Sequence, residues 1–332
     1  MKIDSFQAKA HPIGAQRPSV EEVAHRIRTS VVHDVLRIIA DPWNPHILLV
    51  IWLGCDRFQR IVDILRISRS TLTQRMALLQ QEGCVLKDAA DGGHARYRLS
   101  DKGADLLGTV ALNRQWNSRW EVSNRVLPDF RFAHDCGAML EARVACGSCG
   151  IEAHARDLKV LPTSAPQRGG DIPEPAYRRA RRLGARADLR STEILHGEDL
   201  SGDRWTALIL AVAFMGLHRN SEIEQAIGIA SNVLASRLAL LTENRIFRRV
   251  RYQANPERFE YQLTQKGLDR HAVMLAMVAW ASCWLAPSPG TDWNILHKPC
   301  HAWLQPRLVC AACGGEVRGS TLRPGGRSPA RL

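Results

Sequence analysis

The sequence predicts a mainly α-helical fold with small β hairpins, in which one structural unit occurs twice along the chain. Three observations lead to this prediction. Ile67–Gly83 (ISRSTLTQRMALLQQEG) recurs 162 residues later as Ile229–Arg245 (IASNVLASRLALLTENR). The segments on either side recur as well, and the offset rises to 164 after one hairpin loop. Three cysteines then repeat at that second offset. Repeats of this extent indicate a duplicated domain.

The repeated stretch has the pattern of an amphipathic helix. Its apolar residues fall on one face in both copies, at Leu72, Met76 and Leu79 and at Leu234, Leu238 and Leu241. A polar run, Ser68–Ser70, suits the start of the first helix. The opposite face carries donors suited to phosphates and base edges, namely Thr71, Gln74 and Arg75. We therefore interpret both copies as recognition helices of helix-turn-helix units.

The elements around the first copy complete a winged helix. The spacing predicts helices over Ser30–Ala40, His46–Leu53, Phe58–Leu65 and Ile67–Gln81. Gly83 is expected to end the last of them in a left-handed conformation. Asp91–Gly93 marks the turn of a hairpin within Val85–Leu99, and Ser100 is the expected N-cap of a further helix. The second copy begins near Ser191 and keeps this plan.

That further helix carries two tryptophans four residues apart, in both copies: Trp116 and Trp120, then Trp280 and Trp284. Large aromatic faces rarely stay exposed on soluble proteins. We expect the two helices to pack against each other, so that the chain forms an intramolecular pseudo-dimer. A linker of about thirty residues spans roughly 30 Å, which permits this pairing. Self-association of two chains through the same surface is the alternative.

Composition divides the chain into seven segments. They are a flexible arm (1–28), a winged-helix domain (29–125), a Cys/His extension (126–155), a basic linker (156–190), a second winged-helix domain (191–290), a second Cys/His extension (291–316) and a disordered tail (317–332). The fold class is thus mainly α with small β wings, with two winged helix-turn-helix domains that each precede a small zinc-ribbon-like cysteine cluster.

Charge favours an anionic partner. The formal net charge is +12 and the sequence pI is about 9.7, which points first to nucleic acid. No apolar run reaches the ~18 residues of a membrane span. Nine cysteines in 332 residues do not resemble a small secreted disulfide scaffold, so we expect a cytoplasmic protein. Motifs typical of enzymes, such as a Walker P-loop, G-x-S-x-G or HExxH, are missing, and we expect no enzymatic activity.

Several of these motifs resemble one protein family. WNPHILLVIWLG, RF-x6-LRISRSTLTQRMALLQQEG and YRLSDKG resemble the HxlR-type winged-helix transcriptional regulators of bacteria. DRWTALILAVAFMG, IGIASNVLASRLALLTENRIFRR and FEYQLTQKG resemble a second, more divergent copy. The resemblance implies DNA binding and pairing through the flanking helices. Two departures stand out: Ser30 and Thr192 lie near the position of the family's usual cysteine, and Asn220 replaces the phenylalanine that the first copy keeps as Phe58.

The residues expected to contact double-stranded DNA lie on both helices and both wings. They are Ser68, Arg69, Ser70, Thr71, Gln74 and Arg75 on the first helix, His94 and Arg96 on the first wing, Ser231, Asn232, Ser236 and Arg237 on the second helix, and Arg248, Arg249, Arg251 and Arg258 on the second wing. Ala230, Val233 and Ala235 replace Ser68, Thr71 and Thr73, so the second helix either contacts DNA weakly or serves packing. The wing arginines suit phosphates or the minor groove.

Cysteine and histidine clusters follow each winged helix. The first contains His134, Cys136, Cys146 and Cys149, and the second contains His297, Cys300, Cys310 and Cys313. A CxxC knuckle with a Cys/His pair nine to twelve residues away can close a tetrahedral zinc site. The sequence therefore predicts two structural zinc ions, each held by three cysteines and one histidine of the same extension. His301 is the other candidate for the fourth ligand of the second site. A thiol–disulfide switch or buried unliganded cysteines are the alternatives.

Together these patterns predict a DNA-binding transcriptional regulator. Its two winged helices are expected to act as an intramolecular pseudo-dimer on two half-sites. Two alternatives remain at this point. A redox- or metal-responsive sensor would bind DNA with an affinity that depends on the state of its cysteines. A winged-helix protein-interaction scaffold would show no salt-dependent affinity for DNA.

Overall fold

The computed structural model describes residues 18–29, 32–88, 95–122, 127, 129–160, 203–285 and 295–325. Across these ranges, no helix is both long enough and apolar enough to cross a membrane. We call residues 18–160 the first half and residues 203–325 the second half. The expected hairpin turn at Asp91–Gly93 and most of the basic linker lie outside the described residues.

The first half begins with a winged-helix unit. Its elements are α1 (Val20–Thr29), α2 (Val32–Ile39), α3 (Asn44–Trp52), α4 (Phe58–Leu65), α5 (Arg69–Gln81), β1 (Val85–Asp88), β2 (Arg96–Leu99) and α6 (Asp101–Arg119). The predicted apolar face of α5 is buried: Leu72 and Leu79 are 0% exposed. Ser100 caps α6 as predicted, because its hydroxyl accepts the Gly103 N–H at 3.1 Å.

The second half repeats this unit. Its elements are α7 (Arg204–Phe214), α8 (Asn220–Ile227), α9 (Ser231–Glu243), β6 (Phe247–Gln253), β7 (Arg258–Leu263), the short α10 (Gln265–Leu268) and α11 (His271–Trp284). Thr264 caps α10 through the Gly267 N–H at 3.2 Å, as Ser100 caps α6. In both units the capped glycine is tightly packed, because a Cβ on Gly103 would meet the Cys84 carbonyl and one on Gly267 would meet the Ile246 carbonyl.

The first helix corrects the sequence prediction. Residues 1–28 were expected to form a flexible arm, but Val20–Thr29 is helical and its residues Val23 and Ile27 are 1% and 2% exposed. They join the hydrophobic core of the second unit. The Gln225 amide on α8 also donates to the Glu21 carboxylate at 3.2 Å. The helix Val20–Thr29 therefore packs on the second winged helix, and residues 1–17 lie outside the described part.

The hydrophobic core of each unit also contains buried residues of the opposite half. Buried residues of α11, among them Leu275 and Trp280, belong to the core of the first unit. Trp116 on α6 belongs to the core of the second unit. Each hydrophobic core is thus completed by the opposite half, as the tryptophan pattern predicts.

We call the contact between α6 and the α10–α11 segment the tryptophan seam. Its hydrogen bonds occur in pairs related by the 164-residue offset. The Trp116 indole N–H donates to the Lys266 carbonyl at 3.1 Å, and the Trp280 indole N–H donates to the Lys102 carbonyl at 2.9 Å. The outer pair repeats this exchange: Trp120 donates to Asp269 at 3.2 Å and Trp284 donates to Asp105 at 3.1 Å. The seam is therefore a pseudo-two-fold interface within one chain.

The two extensions form one strand module instead of two separate ribbons. Its strands are β3 (Arg131–His134), β4 (Ala142–Cys146), β5 (Leu158–Val160), β8 (Ile295–His297), β9 (Ala302–Trp303), β10 (Pro306–Cys310) and β11 (Leu322–Gly325). β4 pairs with β10, β3 with β11 and β5 with β8, and all three pairs are antiparallel and join the two halves.

The strand module also changes two predicted boundaries. A disordered tail was expected from residue 317, but Val317 and Leu322 are 5% and 2% exposed and β11 pairs with β3. The linker was expected from residue 156, yet β5 continues to Val160. Residues 326–332 lie outside the described part. Both segments are ordered because they pair with strands of the opposite half. Pairing between residues so far apart leaves no pattern in the local sequence.

Candidate nucleic-acid interface and metal clusters

The recognition helix of the first unit, α5, presents a polar exposed surface. Ser68 is its N-cap, since the Ser68 hydroxyl accepts the Thr71 N–H at 3.0 Å. Arg69 is held toward α4, because its guanidinium donates to the Gln59 side chain at 2.8 Å and lies 6.0 Å from the Phe58 ring centroid. Ser70 and Gln74 are exposed. These side chains can donate to phosphate oxygens or base edges.

Arg75 and Arg237 have a different environment from the other predicted contacts. Arg75 forms an ion pair of 2.7 Å with Asp41, which precedes α3, and Arg237 forms the equivalent pair with Asp203, which precedes α7. Burial raises the pKa of Asp41, and the Arg75 charge acts against that shift. Sequence reasoning missed both aspartates, although they recur at the same 162-residue offset. Arg75 therefore fastens α5 to the start of α3, and Arg237 fastens α9 to the start of α7.

The second recognition helix, α9, has fewer donors. Its N-cap, Ala230, has no side chain that accepts a hydrogen bond. The Ser231 hydroxyl is engaged by the Glu224 carboxylate on α8. Asn232 and Ser236 are exposed. The loss of the capping hydroxyl and of Thr71, which Val233 replaces, leaves the start of this helix less polar than that of α5.

The second wing is the larger and more basic one. Its strands span seven and six residues, against four and four in the first wing. The Arg249 guanidinium lies 4.0 Å from the Phe259 ring centroid, and Arg251 lies 3.6 Å from Glu257. Arg248 donates to the Gln262 side chain at 2.9 Å, and Arg258 is exposed. Four arginines thus extend along one exposed hairpin.

The first wing offers less charge to a ligand. Arg96 is paired with Asp56 at 2.6 Å, and Arg98, which the sequence analysis did not single out, is paired with Asp88 at 2.7 Å. Lys87 on β1 is exposed and corresponds to Arg249 in the second unit. His94 lies outside the described residues.

Two Cys/His clusters lie in the strand module. The first contains His134, Cys136, Cys310 and Cys313, and the second contains Cys146, Cys149, His297 and Cys300. In each, the four candidate ligand atoms all lie within 4.8 Å of one another, an arrangement that can hold a metal ion. These are the eight predicted ligands, but the predicted grouping is wrong, because each cluster takes two residues from each half. His301 belongs to neither cluster.

The distances within the clusters fit tetrahedral coordination. In a zinc site with Zn–S of about 2.3 Å and Zn–N of about 2.05 Å, sulfur atoms lie about 3.8 Å apart and sulfur–nitrogen pairs about 3.6 Å apart. The Cys146 and Cys300 Sγ atoms are separated by 3.9 Å. The His297 Nδ1 atom lies 3.4 Å from the Cys149 Sγ and 3.2 Å from the Cys300 Sγ. In the first cluster, the His134 Nδ1 atom lies 3.5 Å from the Cys313 Sγ.

The surroundings favour the metal-binding thiolate at two of the cysteines, whereas at Cys149 and Cys313 a backbone hydrogen bond is outweighed by burial and the neighbouring thiols, which raise the pKa. With Nδ1 of His134 facing the thiols, its Nε2 atom lies 3.3 Å from the Glu316 carbonyl, a partner that orients a ligating histidine. Hydrogen bonds from the Ala138 backbone and from His134 lower the pKa of Cys136 to about 7. Burial opposes ionisation of Cys146, but hydrogen bonds from the backbone of Ser148 and Cys149 outweigh it and lower the pKa of Cys146. Thiolates are the metal-binding form.

Comparison with known proteins agrees with the winged-helix architecture. The family model described as HxlR-like helix-turn-helix matches residues 38–125 and 200–289, which is more than half of the chain. The chain therefore belongs to the HxlR-like helix-turn-helix family, with two copies of its domain. The family resemblance and the tandem arrangement predicted from the sequence are both confirmed.

Curated relatives are transcriptional regulators. An uncharacterized HTH-type transcriptional regulator of Mycobacterium bovis is 38% identical over 136 residues, which cover 40% of this chain and 86% of that protein. The uncharacterized HTH-type transcriptional regulator YvaP of Bacillus subtilis is 35% identical over 91 residues, covering 27% of this chain and 84% of its own. A solved structure of diamide-treated YodB from B. subtilis is 38% identical, covers 26% of this chain and 88% of that chain, and has a TM-score of 0.23. The chain is accordingly a DNA-binding transcriptional regulator.

Proposed function

We propose that one chain acts as a pseudo-dimer, which places two unequal winged helices on two half-sites of one DNA duplex. The observation that carries the proposal is the reciprocal exchange of indole hydrogen bonds across the tryptophan seam. Trp116 and Trp280 are each 4% exposed. The aromatic surface that would otherwise require a second chain is therefore covered by the opposite half.

The two units have different roles in this proposal. The first unit reads bases through Ser70, Thr71 and Gln74, while Arg69 contacts the phosphate backbone. The second unit contributes mainly backbone contacts from its arginine-rich wing, because α9 presents fewer donors. Arg75 and Arg237 act by positioning their helices, since both are engaged by aspartates. Phosphate contacts fix the register of a protein on DNA, and base contacts supply its specificity.

Mass measurement tests the proposal. Light scattering of the free chain should give a monomer of 37.1 kDa at all concentrations, and its complex with an operator duplex should contain one chain per duplex. A concentration-independent dimer, or two chains on each duplex, contradicts the pseudo-dimer. Affinity for random duplex DNA should fall steeply with salt. An affinity that does not depend on salt would instead favour the interaction-scaffold alternative.

We also propose that the two clusters hold structural zinc. Three thiolates and one imidazole match the preference of zinc, and four protein ligands leave no open coordination position. Each bound ion would tie together segments of the two halves that also meet through short paired strands. Protein purified without chelator should contain two zinc ions per chain by elemental analysis, and chelation should lower its melting temperature because metal binding is coupled to folding.

The same measurement separates zinc from the redox alternative. The zinc proposal is contradicted if freshly purified protein contains less than one zinc per chain and yields disulfide-linked peptides. That result favours the thiol–disulfide switch. Replacing Cys55, a buried cysteine outside both clusters, with alanine serves as the matched control. That variant should keep both ions.

A further inference from the structure

We infer that each metal ion is bound jointly by both halves, so that the two ions fasten the pseudo-dimer through crossed coordination. The inference rests on the proposed metal binding and adds to it the identity of the residues that share each ion. His134 and Cys136 act with Cys310 and Cys313, while Cys146 and Cys149 act with the segment that contains His297 and Cys300. No ion is then completed by one half alone.

Strand register explains why the ligands cross. In the antiparallel β4–β10 pair, Cys146 lies opposite Pro306 and Cys310 lies opposite Ala142, so the two CxxC turns leave the pair at opposite ends. Each turn therefore approaches a different Cys/His pair. β3, which ends at His134, pairs with β11 of the second half, and β8, which ends at His297, pairs with β5 of the first half.

The two CxxC turns themselves keep the pseudo-symmetry of the seam. The turn after β4 closes with a bridge between Ala145 and Glu152, and the turn after β10 closes with the equivalent bridge between Val309 and Glu316, 164 residues later. Each turn is thus an intact knuckle that offers two thiolates. One histidine and one cysteine of the opposite half complete each site.

The first cluster is connected to the tryptophan seam by a short chain of contacts. Beyond Cys313, the Glu316 carbonyl faces His134, and Arg318 is paired with Asp105 of α6 at 3.7 Å. The Asp105 carboxylate also accepts the Gly319 N–H at 2.9 Å and the Trp284 indole N–H at 3.1 Å. The carboxylate that anchors one tryptophan of the seam therefore holds the segment that follows the cluster.

A second contact joins the same helix to strand β4, at the end of the strand that lies beside the first cluster. The Gln115 side chain on α6 accepts the Ala142 N–H at 2.8 Å and donates to the Ala142 carbonyl at 3.0 Å. Ala142 lies opposite Cys310 of the first cluster and begins the strand that ends at Cys146 of the second cluster. Crossed metal sites attached to α6 in this way would hold the two winged helices at a fixed separation, so metal occupancy would set the spacing of the two DNA contacts.

Two matched double variants of the full chain test the crossing. In the crossed arrangement Cys136→Ser with Cys313→Ser damages one site, whereas Cys136→Ser with Cys146→Ser damages both. The first variant should keep one zinc per chain and the second should keep close to none. Grouping within each half predicts the opposite order, because Cys136 and Cys146 would then share a site. That opposite order overturns the inference while leaving metal binding intact.

A measurement on the unaltered chain tests the crossing even if the double variants fail to fold. With cadmium-113 in place of zinc, proton–cadmium correlation spectra identify the cysteine β-protons coupled to each ion. One ion should couple to Cys136, Cys310 and Cys313, and the other to Cys146, Cys149 and Cys300. Couplings confined to one half for each ion overturn the crossing. A chain that binds no cadmium and no zinc overturns both the metal proposal and the inference.

Discussion

In the first unit the recognition helix begins at Ser68, whose hydroxyl caps it, whereas in the second unit the equivalent helix begins at Ala230 without a side-chain cap. The buried faces of the two helices have hardly diverged. Leu72 and Leu234 are both 0% exposed, and so are Leu79 and Leu241. Packing has kept the inner face because each core position tolerates few side chains. The outer face differs more, since Val233 and Ala235 stand where the first helix has Thr71 and Thr73.

The wings differ in the opposite sense. The second wing is longer and carries four arginines, while the arginines described on the first wing are paired with aspartates at 2.6 and 2.7 Å. The unit with the poorer helix therefore has the richer wing. We infer a division of labour in which the first unit supplies specificity and the second supplies backbone affinity.

The largest effect should come from the tryptophan seam. The single substitutions Trp116→Ala and Trp280→Ala should each lower the free energy of unfolding by about 3–5 kcal/mol, since both rings are buried and hydrogen-bonded. Trp116→Ala should cost more, because the buried Arg270 guanidinium, whose pKa burial lowers to about 10, lies 4.5 Å from its ring centroid. The equivalent residue beside Trp280 is Leu106.

Chemical denaturation measures these losses. Trp303→Ala is the matched control, because this tryptophan is 49% exposed and its replacement should cost under about 1 kcal/mol. Equal losses for Trp303 and Trp116 would mean that the seam contributes no particular stability.

The second effect concerns base recognition. Gln74→Ala should cost about 1–3 kcal/mol of binding free energy on the cognate duplex and relax the preference at one base position. Ser236→Ala, at the equivalent position of α9, should cost little. Gel-shift titrations against a set of single-base operator variants compare the two. A greater loss for Ser236→Ala would assign the base-reading role to the second unit.

The third effect concerns helix capping. Ser68→Ala should lower stability by about 1 kcal/mol because the Thr71 N–H loses its acceptor. Ala230→Ser introduces the missing cap into the second unit, where Ala230 already has the extended backbone conformation of an N-cap, and should raise stability by a similar amount. Thermal unfolding followed by circular dichroism tests both. No change for either substitution would show that the helix starts contribute little to stability.

The smallest effect concerns the wings. Arg249→Ala should lower affinity to the same degree for all duplex sequences and reduce the slope of log K against log salt by about 0.9, as expected for one lost phosphate contact. Lys87→Ala, at the equivalent position of the first wing, should change the slope less, because the first wing contributes fewer backbone contacts. Equal slope changes would remove the proposed asymmetry between the wings.

Sequence reasoning identified the local features of the fold and missed the long-range ones. Helix periodicity, the Ser100 cap and the eight cysteine and histidine residues are visible in short stretches. The helix α1 also has a local signal in the sequence. Val20, Val23, Ala24 and Ile27 have helical spacing, and Ser19 and Glu22 form a capping box with bonds of 3.1 and 2.8 Å.

The grouping of the metal ligands had no such signal. A CxxC knuckle is recognisable from its spacing, but the pair that completes its site depends on which strands align in the folded chain. The β4–β10 register, with Cys310 opposite Ala142, joins residues that are 160 to 168 positions apart. The ion pairs of Asp41 and Asp203 with the helix arginines were detectable in principle, because both partners repeat at one offset.

The central claim, that one chain places two unequal units on two half-sites, is tested most directly by hydroxyl-radical footprinting at one chain per operator duplex. We predict two protected segments about one helical turn apart or a multiple of it. Gln74→Ala should weaken protection of one segment, and Arg249→Ala should weaken the other. A single protected segment, or full protection only when two chains occupy each duplex, would contradict the claim.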